Sequence, residues 1–226
     1  MFWLNQNEVE ILSGIDWLSE KEQSVLSGLR FPKRRADWLL GRWTAKRCLC
    51  GYLEIPAELT LLKNLEIIAS RDGAPEPFRD GERLTLSLSL SHSMGTSLAV
   101  VDRQEAAVGC DVERISPNIL EFIDDYVTPS ERLLISVSTP DRRAAAATLI
   151  WCAKESALKS LREGLRRDTR SIEVSLGQSH GVSDWDGFTA VCFQSGAIFH
   201  GWGRLHAGFA WALASRMETG SPQTFD

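Results

Sequence analysis

The pattern of apolar and polar positions changes its period along the chain, which indicates a mixed α+β protein. Ser19–Glu22 has the form of a capping box, so a short helix is expected to begin there and to end near Gly28. Pro32 suits the first turn of a second, longer helix that runs to about Tyr52. Apolar and polar residues then alternate over 84–91, as in a strand with one buried face.

The polar segment after this strand predicts a hairpin and a third strand. His92–Gly95 is expected to form a turn and Thr96–Val101 the next strand. A polar turn at Asp102–Glu105 then leads into the strand that carries Asp111 and Glu113. The three strands are predicted to form an antiparallel meander. Because side chains alternate between the faces of a strand, the two carboxylates share one face.

The second part of the chain repeats the order of elements. Thr128–Glu131 predicts another capped helix, and Thr139-Pro140 the start of a long helix that stops near Gly164. Four strands are expected in the tail, at Ile172–Leu176, Phe188–Phe193, Ala197–Trp202 and Phe209–Ala214. The order predicts two α+β halves, residues 1–105 and 106–226. No residue-level repeat is apparent, so the duplication rests on the order of elements.

Composition and charge narrow the class of protein. The chain has 226 residues, of which 43% are hydrophobic and 24% charged, as in soluble globular proteins. A net charge of −5 argues against non-specific nucleic-acid binding. No apolar run approaches a membrane span, and the N-terminus does not resemble a signal peptide, so we expect a cytoplasmic protein without a membrane partner. The five scattered cysteines are expected to be buried thiols.

Carboxylates from two elements predict a metal-assisted phosphoryl-transfer site. Asp111 and Glu113 repel each other unless a cation lies between them, and Gly109 leaves room for a ligand to approach the strand. Glu155 and Lys159 are four residues apart and share one face of the second long helix. Three carboxylates suit Mg²⁺ when phosphate oxygens and waters complete its shell. Solvated charges on an edge strand and a surface salt bridge between Glu155 and Lys159 are the alternatives.

A phosphate site is predicted around His92. Its imidazole, the hydroxyls of Ser91 and Ser93 and free turn amides would bind a phosphate well. A surface histidine without a ligand is an equal alternative.

The second helix carries a basic stripe. Arg35, Arg42 and Lys46 share one side of this helix next to apolar residues, where a cation needs an anionic partner. A ligand or an internal acidic residue would satisfy that need. Arg34 lies near the helix N-terminus, where the helix dipole also favours an anionic ligand.

Four segments together resemble one enzyme family. They are Arg34–Arg42, Ser89–Ser93, Gly109–Glu113 and Trp151–Lys159, in the order and spacing of the larger, surfactin-synthetase-activating (Sfp) type of 4′-phosphopantetheinyl transferase. The resemblance implies a pseudo-twofold monomer of two α+β halves, each with a small antiparallel sheet packed on helices. Coenzyme A would lie in the cleft between the halves. The implied reaction moves its 4′-phosphopantetheine arm onto a serine of an acyl or peptidyl carrier protein and releases adenosine 3′,5′-bisphosphate.

The resemblance also implies roles for individual residues. Asp111, Glu113 and Glu155 would hold Mg²⁺, or Mn²⁺ in its place, on the diphosphate. Glu155 would take the serine proton, directly or through a water, and Lys159 would stabilise the leaving oxygen or protonate it. The residues expected to bind coenzyme A are Ser91 and His92 at phosphates, Arg34 and Arg42 near the 3′-phosphate, and Lys154 and Lys159 along the same anionic site.

One departure from the family pattern concerns the binding of coenzyme A. Members commonly have Gly-Lys-Pro or Gly-Arg-Pro where this chain has Gly73-Ala74-Pro75, so one phosphate-binding cation is missing. Arg71 is the expected substitute. A non-catalytic module that binds a carrier protein or nucleotide, and a metal-dependent nucleotide phosphohydrolase, are the rival functions.

Overall fold

The computed structural model describes residues 1–162, 167–177 and 184–224, and within them the chain forms five α-helices and eleven β-strands. The helices are α1 (Glu20–Gly28), α2 (Pro32–Tyr52), α3 (Leu59–Asn64), α4 (Pro129–Val137) and α5 (Arg143–Ser160). The strands are β1 (Phe2–Asn7), β2 (Leu65–Ala69), β3 (Pro75–Arg79), β4 (Glu82–Arg83), β5 (Leu86–Ser93), β6 (Thr96–Arg103), β7 (Gly109–Arg114), β8 (Ile172–Leu176), β9 (Asp186–Cys192), β10 (Ile198–His206) and β11 (Phe209–Ser215). The mixed α+β class predicted from the sequence is confirmed.

The strands form three antiparallel sheets, in the orders β1-β6-β5, β2-β3-β4 and β7-β11-β10-β9-β8. The predicted meander is therefore wrong. Strands β5 and β6 do form a hairpin, but β7 pairs with β11 in another sheet and β1 takes the place beside β6. A 3-10 turn at Gln104–Ala106, followed by Ala107 in the left-handed region (φ 44°), redirects the chain between the sheets.

Element boundaries agree with the sequence where a capping residue marks them. The capping boxes of α1 and α4 are both formed, and α2 spans the predicted range. Helix α5, however, begins at Arg143 and not at Thr139, and ends at Ser160, while Gly164 lies outside the described residues. His92 remains within β5, and the turn consists of Met94 and Gly95.

The two larger sheets pack face to face between the two long helices. Helix α2 covers the outer face of β1-β6-β5, and α5 covers the outer face of the five-stranded sheet. A shared apolar cluster that includes Trp3, Leu98, Val100, Cys110 and Trp211 fills the space between the sheets. The expected division at residue 105/106 falls at the 3-10 turn between the sheets and stays a prediction, since this cluster joins both sides.

Two further expectations from the sequence concern the cysteines and membrane-spanning helices. All five cysteines are free and buried, as predicted. In the ranges given above, no helix has both the length and the apolar character that crossing a membrane requires.

A buried ion pair anchors α2 in the N-terminal part of the molecule. Glu22, the third residue of α1, receives a salt bridge from Lys46 of α2 (2.5 Å) and accepts a hydrogen bond from the backbone N–H of Ile67 in β2 (3.0 Å). Lys46 is fully buried and also donates to the carbonyls of Trp17 and Leu62. The basic stripe predicted on α2 thus includes a lysine whose partner is an internal acidic residue.

The same contacts recur around α5. Glu131, the third residue of α4, pairs with the fully buried Lys154 (2.6 Å) and accepts a hydrogen bond from the backbone N–H of Val174 in β8 (2.7 Å). Lys154 also donates to the carbonyl of Ile172. The two lysines lie in similar sequences, Trp-Thr-Ala-Lys-Arg at 43–47 and Trp-Cys-Ala-Lys-Glu at 151–155. The structure therefore reveals a residue-level repeat that the sequence analysis missed.

Candidate active site

Strand β7 and helix α5 meet at Gly109. A Cβ atom at this position would lie 1.9 Å from the carbonyl oxygen of Ser156 and 2.7 Å from the backbone nitrogen of Ser160. The space beside Gly109 is thus occupied by the backbone of α5 and not by a ligand, which corrects the expectation from the sequence. The close approach lets side chains from β7 and α5 reach each other.

Asp111 connects three elements. Its Oδ1 atom accepts hydrogen bonds from Lys159 Nζ of α5 (2.7 Å) and from Ser91 Oγ of β5 (2.7 Å). Lys159 also donates to the carbonyl of Cys110 (3.0 Å). Asp111 Oδ2 is buried and has no hydrogen-bond partner among the described residues. One carboxylate oxygen is therefore neutralised by lysine while the other retains an unmet need for a cation or a donor.

Glu155 lies one helical turn before Lys159 and is also buried, and no described residue contacts its Oε1 atom as a hydrogen-bond partner. Burial is the main cause that raises the pKa of Glu155 to about 7, and the charge of Asp111 raises it further. For Lys159, burial lowers the pKa, but the charges of Asp111, Cys110 and Glu155 and the hydrogen bond to Asp111 together outweigh that effect and raise it. Glu155 thus titrates near neutral pH beside a firmly protonated lysine.

Glu113, two residues along β7, is half-buried. Burial raises its pKa, the hydroxyl of Ser93 lowers it by donating to Oε2 (2.7 Å), and the charge of Asp111 raises it again. Glu113 also raises the pKa of Glu155. The three carboxylates therefore influence one another electrostatically.

The carboxylates of Asp111, Glu113 and Glu155 are chemically suited to bind a hard divalent cation, but they do not form a preformed binding site for one. Across residues 1–162, 167–177 and 184–224, no three His, Cys, Asp or Glu side chains converge closely enough to hold a metal ion. The preformed cluster of Asp111, Glu113 and Glu155 expected from the sequence is thus not present. Like charges repel at low dielectric, and Lys159 supplies the counter-charge to Asp111. The two unpartnered oxygens on Asp111 and Glu155 are nevertheless the oxygen ligands that Mg²⁺ prefers.

Alternate serines of β5 all turn toward β7. Ser87 and Ser89 accept hydrogen bonds from the backbone N–H groups of Val108 (2.9 Å) and Cys110 (3.1 Å). Further along, the hydroxyls of Ser91 and Ser93 donate to the carboxylates of Asp111 and Glu113, as given above. This serine ladder (Ser87, Ser89, Ser91 and Ser93) joins the edges of the two sheets. The leucine-serine alternation predicted one polar face but not its partner.

Ser91 and His92 were expected to contact a phosphate, but the structure gives the Ser91 hydroxyl a different partner. Its buried hydroxyl donates to Asp111 and so orients a carboxylate. His92 is exposed and, by strand alternation, lies on the face opposite the serine ladder.

A cavity of about 640 Å³ opens between β3, β5 and the end of α5. Its volume falls within the usual range for small-molecule sites. Its lining includes residues 72–76 and 86–90, Arg83, Ala107, Val108, Lys159 and Arg162. Because Lys159 also contacts Asp111, the cavity reaches the neighbourhood of Asp111.

The arginines of α2 lie outside the lining of this cavity. Arg42 stacks on Trp38 (4.8 Å from guanidinium carbon to ring centre), and its Nε atom is buried without a hydrogen-bond partner among the described residues. Burial lowers the pKa of Arg42, and the charge of Glu22 raises it. Arg34 is exposed in the first turn of α2, and Arg35 donates to backbone carbonyls.

Two further predicted ligand contacts are placed elsewhere. Lys154 was expected to line the anionic site, but it is fully buried against Glu131, so that prediction is wrong. A lysine next to Glu155 in the sequence points to the other side of the helix, because neighbouring helical residues do not share a face. Arg71 is exposed in the turn between β2 and β3; it does not line this cavity but lines a second depression that shares Asp72, Glu76 and Arg162 with it.

An ion-pair cluster at the cavity, which we call the clasp (Ser70, Asp72, Glu76, Arg83 and Arg162), was not predicted. Arg162 follows α5 with a left-handed backbone (φ 61°) and donates to both carboxylate oxygens of Asp72 (2.9 and 3.1 Å). It also donates to Ser70 Oγ and to Glu76, which Arg83 contacts as well. The contacts link positions about 90 residues apart, and no local pattern in the sequence signals them.

Comparisons with known proteins agree with this arrangement. Residues 107–210 match the family model described as the 4′-phosphopantetheinyl transferase superfamily, and this range includes the three carboxylates and Lys159. The chain is 31% identical over 152 residues to the 4′-phosphopantetheinyl transferase AcpT of Salmonella typhi. It is 30% identical over 152 residues to AcpT of Salmonella typhimurium (strain LT2). Each alignment covers 66% of this chain and 70% of the relative.

Proposed function

This chain belongs to the 4′-phosphopantetheinyl transferase superfamily and is a transferase, and we propose that it transfers the 4′-phosphopantetheine arm of coenzyme A to a serine of an acyl or peptidyl carrier protein in a Mg²⁺-dependent reaction. The second product is adenosine 3′,5′-bisphosphate. Four sequence segments favour the larger, Sfp type of the family. The monomeric state and cytoplasmic location expected from the sequence stay predictions.

One observation carries the proposal. Two buried carboxylates, Asp111 and Glu155, each present an oxygen without a hydrogen-bond partner in the described chain, beside a lysine that lines a ligand-sized cavity. Isolated buried carboxylate oxygens are costly, so a site that retains two of them is adapted to an additional cation. The diphosphate of coenzyme A, bound in the cavity, would bring its negative charge close to these two carboxylates.

The proposed reaction is a displacement at phosphorus. The carrier serine oxygen attacks the β-phosphorus of coenzyme A, and the bond from that phosphorus to the bridging oxygen breaks with its electron pair left on the departing adenosine bisphosphate. A Mg²⁺ ion held by Asp111, Glu113 and Glu155 would neutralise charge on the diphosphate.

Glu155 and Lys159 serve the two ends of the displacement. Glu155, whose pKa in the metal-free protein is about 7, is placed to accept the serine proton directly or through a water. Lys159 remains protonated beside Asp111 and lines the cavity, so its ammonium group is available to stabilise the leaving oxygen. The serine ladder fixes Asp111 and Glu113 in place before substrate arrives.

The test is intact-mass measurement of candidate carrier proteins after incubation with the protein, coenzyme A and Mg²⁺. We expect a mass increase of one phosphopantetheine arm, which disappears when the metal is chelated. Binding without a mass change would favour the non-catalytic module. Release of phosphopantetheine from coenzyme A without a carrier would favour the phosphohydrolase.

Removal of either carboxylate that carries an unpartnered oxygen should abolish transfer. Asp111→Ala and Glu155→Ala each delete one proposed metal ligand, and we expect loading rates to fall by at least about a hundredfold, as for loss of a central electrostatic group. Asp124→Ala, which removes an exposed carboxylate paired with Arg132 (3.2 Å), is the control and should load carriers normally. Near-normal loading by the Asp111 variant would end the assignment.

A further inference from the structure

We infer that Lys159 is a movable counter-ion, which neutralises Asp111 in the free protein and turns to the diphosphate when coenzyme A binds. This inference rests on the proposed function and adds a role that precedes the chemical step. Its consequence is that a divalent metal ion binds poorly to the free protein and well once coenzyme A is present. Lys159 thereby makes metal binding depend on the substrate.

Lys159 supplies the positive charge that a metal ion would otherwise supply at Asp111. Its Nζ atom lies 2.7 Å from Asp111 Oδ1, which also accepts a hydrogen bond from Ser91 Oγ (2.7 Å). The second oxygen, Oδ2, is buried and has no hydrogen-bond partner in the part of the chain that the structure describes. A divalent cation at Oδ2 would share one carboxylate with the ammonium group, and like charges at such short range repel each other. Lys159 therefore competes with the metal while it remains on Asp111.

The positions of the other carboxylates agree with a metal site that is completed only by substrate. Glu113 is held by the hydroxyl of Ser93, and Glu155 Oε1 is buried without a hydrogen-bond partner among the described residues. Within the ranges that the structure covers, no three acidic, histidine or cysteine side chains converge on one point. Mg²⁺ is commonly held by one or two carboxylates together with phosphate oxygens of the substrate. The free protein thus offers incomplete coordination and a resident ammonium group.

Lys159 can leave Asp111, unlike the two lysines that anchor the long helices. Its side chain is 27% exposed and lines the cavity, and its other hydrogen bond goes to the carbonyl of Cys110 (3.0 Å). The side chains of Lys46 and Lys154 are fully buried, each against a glutamate and backbone carbonyl groups. A lysine has a flexible stem and rotatable donors, so Lys159 can exchange one anion for another without a change in the backbone.

The diphosphate of coenzyme A provides the driving force for this exchange. It carries more negative charge than one carboxylate, and lysine is a common ligand of phosphate oxygens. Once the ammonium group has turned to the diphosphate, both oxygens of Asp111 become available to a metal ion. Because the coupling between two ligands is reciprocal, the metal must raise the affinity for coenzyme A by the same factor.

Binding of Mn²⁺ to the full chain tests this role without any transfer reaction. The free ion is measured by its electron paramagnetic resonance signal, which is lost on binding. For Lys159→Met without coenzyme A, we expect the Kd for Mn²⁺ to fall about tenfold, a usual size for coupling between two sites, because Asp111 loses its competing cation. A lysine that only stabilises the leaving oxygen, or only holds the site together, predicts an unchanged or a higher Kd. Either of these results overturns the inference.

Two further variants address folding and the location of the ion. Lys159→Gln keeps a hydrogen-bond donor for Asp111 and removes only the charge. It should lower the Kd for Mn²⁺ in the same way, and it replaces Lys159→Met if that variant fails to fold. Asp111→Asn combined with Lys159→Met should cancel the gain in affinity, and a gain that persists overturns the inference.

Lys21→Met is the matched control. Lys21 also pairs with a carboxylate, that of Glu66 (3.0 Å), but among the described residues it is not part of the cavity lining. Its removal changes the net charge by the same amount as Lys159→Met and should leave the Kd for Mn²⁺ at the wild-type value. A similar fall in both variants would indicate a general effect of charge and would contradict a specific role of Lys159.

The same measurement with coenzyme A present completes the test. Wild type and Lys159→Met should then differ less in their Kd for Mn²⁺ than they do without coenzyme A, because Lys159 has already left Asp111. An undiminished difference speaks against the exchange. Carrier loading by the wild-type chain is measured in parallel. Loading by wild type together with unaltered Kd values in the variants sinks only this inference, whereas absence of loading with every carrier sinks the proposed function.

Discussion

Glu155 is the residue at which stability and proposed activity oppose each other. Its pKa is raised from 4.5 to about 7, so the folded protein binds a proton at Glu155 that the unfolded chain has released. The free energy of unfolding should therefore fall as pH rises from about 4.5 through 7, and the full penalty applies above that range. A shift of this size corresponds to about 3 kcal/mol.

Glu155→Gln should accordingly stabilise the protein while abolishing transfer. Urea denaturation at pH 8 should show a gain of about 3 kcal/mol over wild type, and the gain should vanish near pH 4. Added Mg²⁺ should stabilise wild type and not the variant, since the variant lacks one charged ligand. A variant no more stable than wild type at pH 8 would contradict the burial of an ionised carboxylate here.

At this scale the sequence identified the chemical groups but not their partners. Asp111, Glu155 and Lys159 were predicted from spacing alone, and the structure brings them together. Ser91 and Lys154 were assigned to a ligand, although both are occupied by internal carboxylates. Strand and helix periodicity specifies a face, whereas the residue opposite that face depends on tertiary packing.

At the scale of elements, the approach of β7 to α5 depends on Gly109. Gly109→Ala should destabilise the protein by about 3 kcal/mol or more, since a methyl group would overlap backbone atoms that cannot move aside. Gly28→Ala is the matched control: no atom lies within 4 Å of the added Cβ, and the residue lies in a helix. Urea denaturation compares the two, and similar stabilities would contradict the close packing.

The two equivalent ion pairs, Glu22–Lys46 and Glu131–Lys154, allow a matched test of how α5 is positioned. Lys46→Met and Lys154→Met each leave a buried glutamate without its partner and should each lower stability by about 3–5 kcal/mol. Only Lys154→Met should also slow transfer, by roughly 10- to 100-fold, because Glu155 is the next residue and its position would shift.

The comparison is read from the maximal loading rate at a temperature where both variants remain folded. Equal rates in the two variants would show that the Glu131–Lys154 pair does not position Glu155. Arg47 occupies the corresponding place after Lys46, so the first variant disturbs a helix that carries no proposed catalytic carboxylate.

Elements with local signals were predicted well. The capping boxes of α1 and α4 fixed both helix starts, and β8 has the predicted bounds. Strand β1, helix α3 and the small sheet β2-β3-β4 were not anticipated. The prediction of a meander was wrong because the alternation of apolar and polar residues indicates a strand but does not show which strand pairs with it.

At the scale of the whole molecule, hairpin registers relate the two larger sheets. The β5–β6 and β10–β11 hairpins both turn through two residues with positive φ, Met94-Gly95 and Ala207-Gly208. Ala99 of β6 then corresponds to Ala212 of β11, and their partners are Leu4 and Asp111. By the same register, the neutral Gln6 of β1 corresponds to Glu113.

The repeat of the Glu–Lys anchor has a consequence for how this chain can change over time. Both copies must keep a buried glutamate and lysine to hold their long helices, but Leu4, Gln6 and Arg47 stand where the second copy has three acids. Substitutions at Leu4, Gln6 and Arg47 are therefore constrained by packing and not by the proposed metal site, whereas substitutions at Asp111, Glu113 and Glu155 are constrained by both.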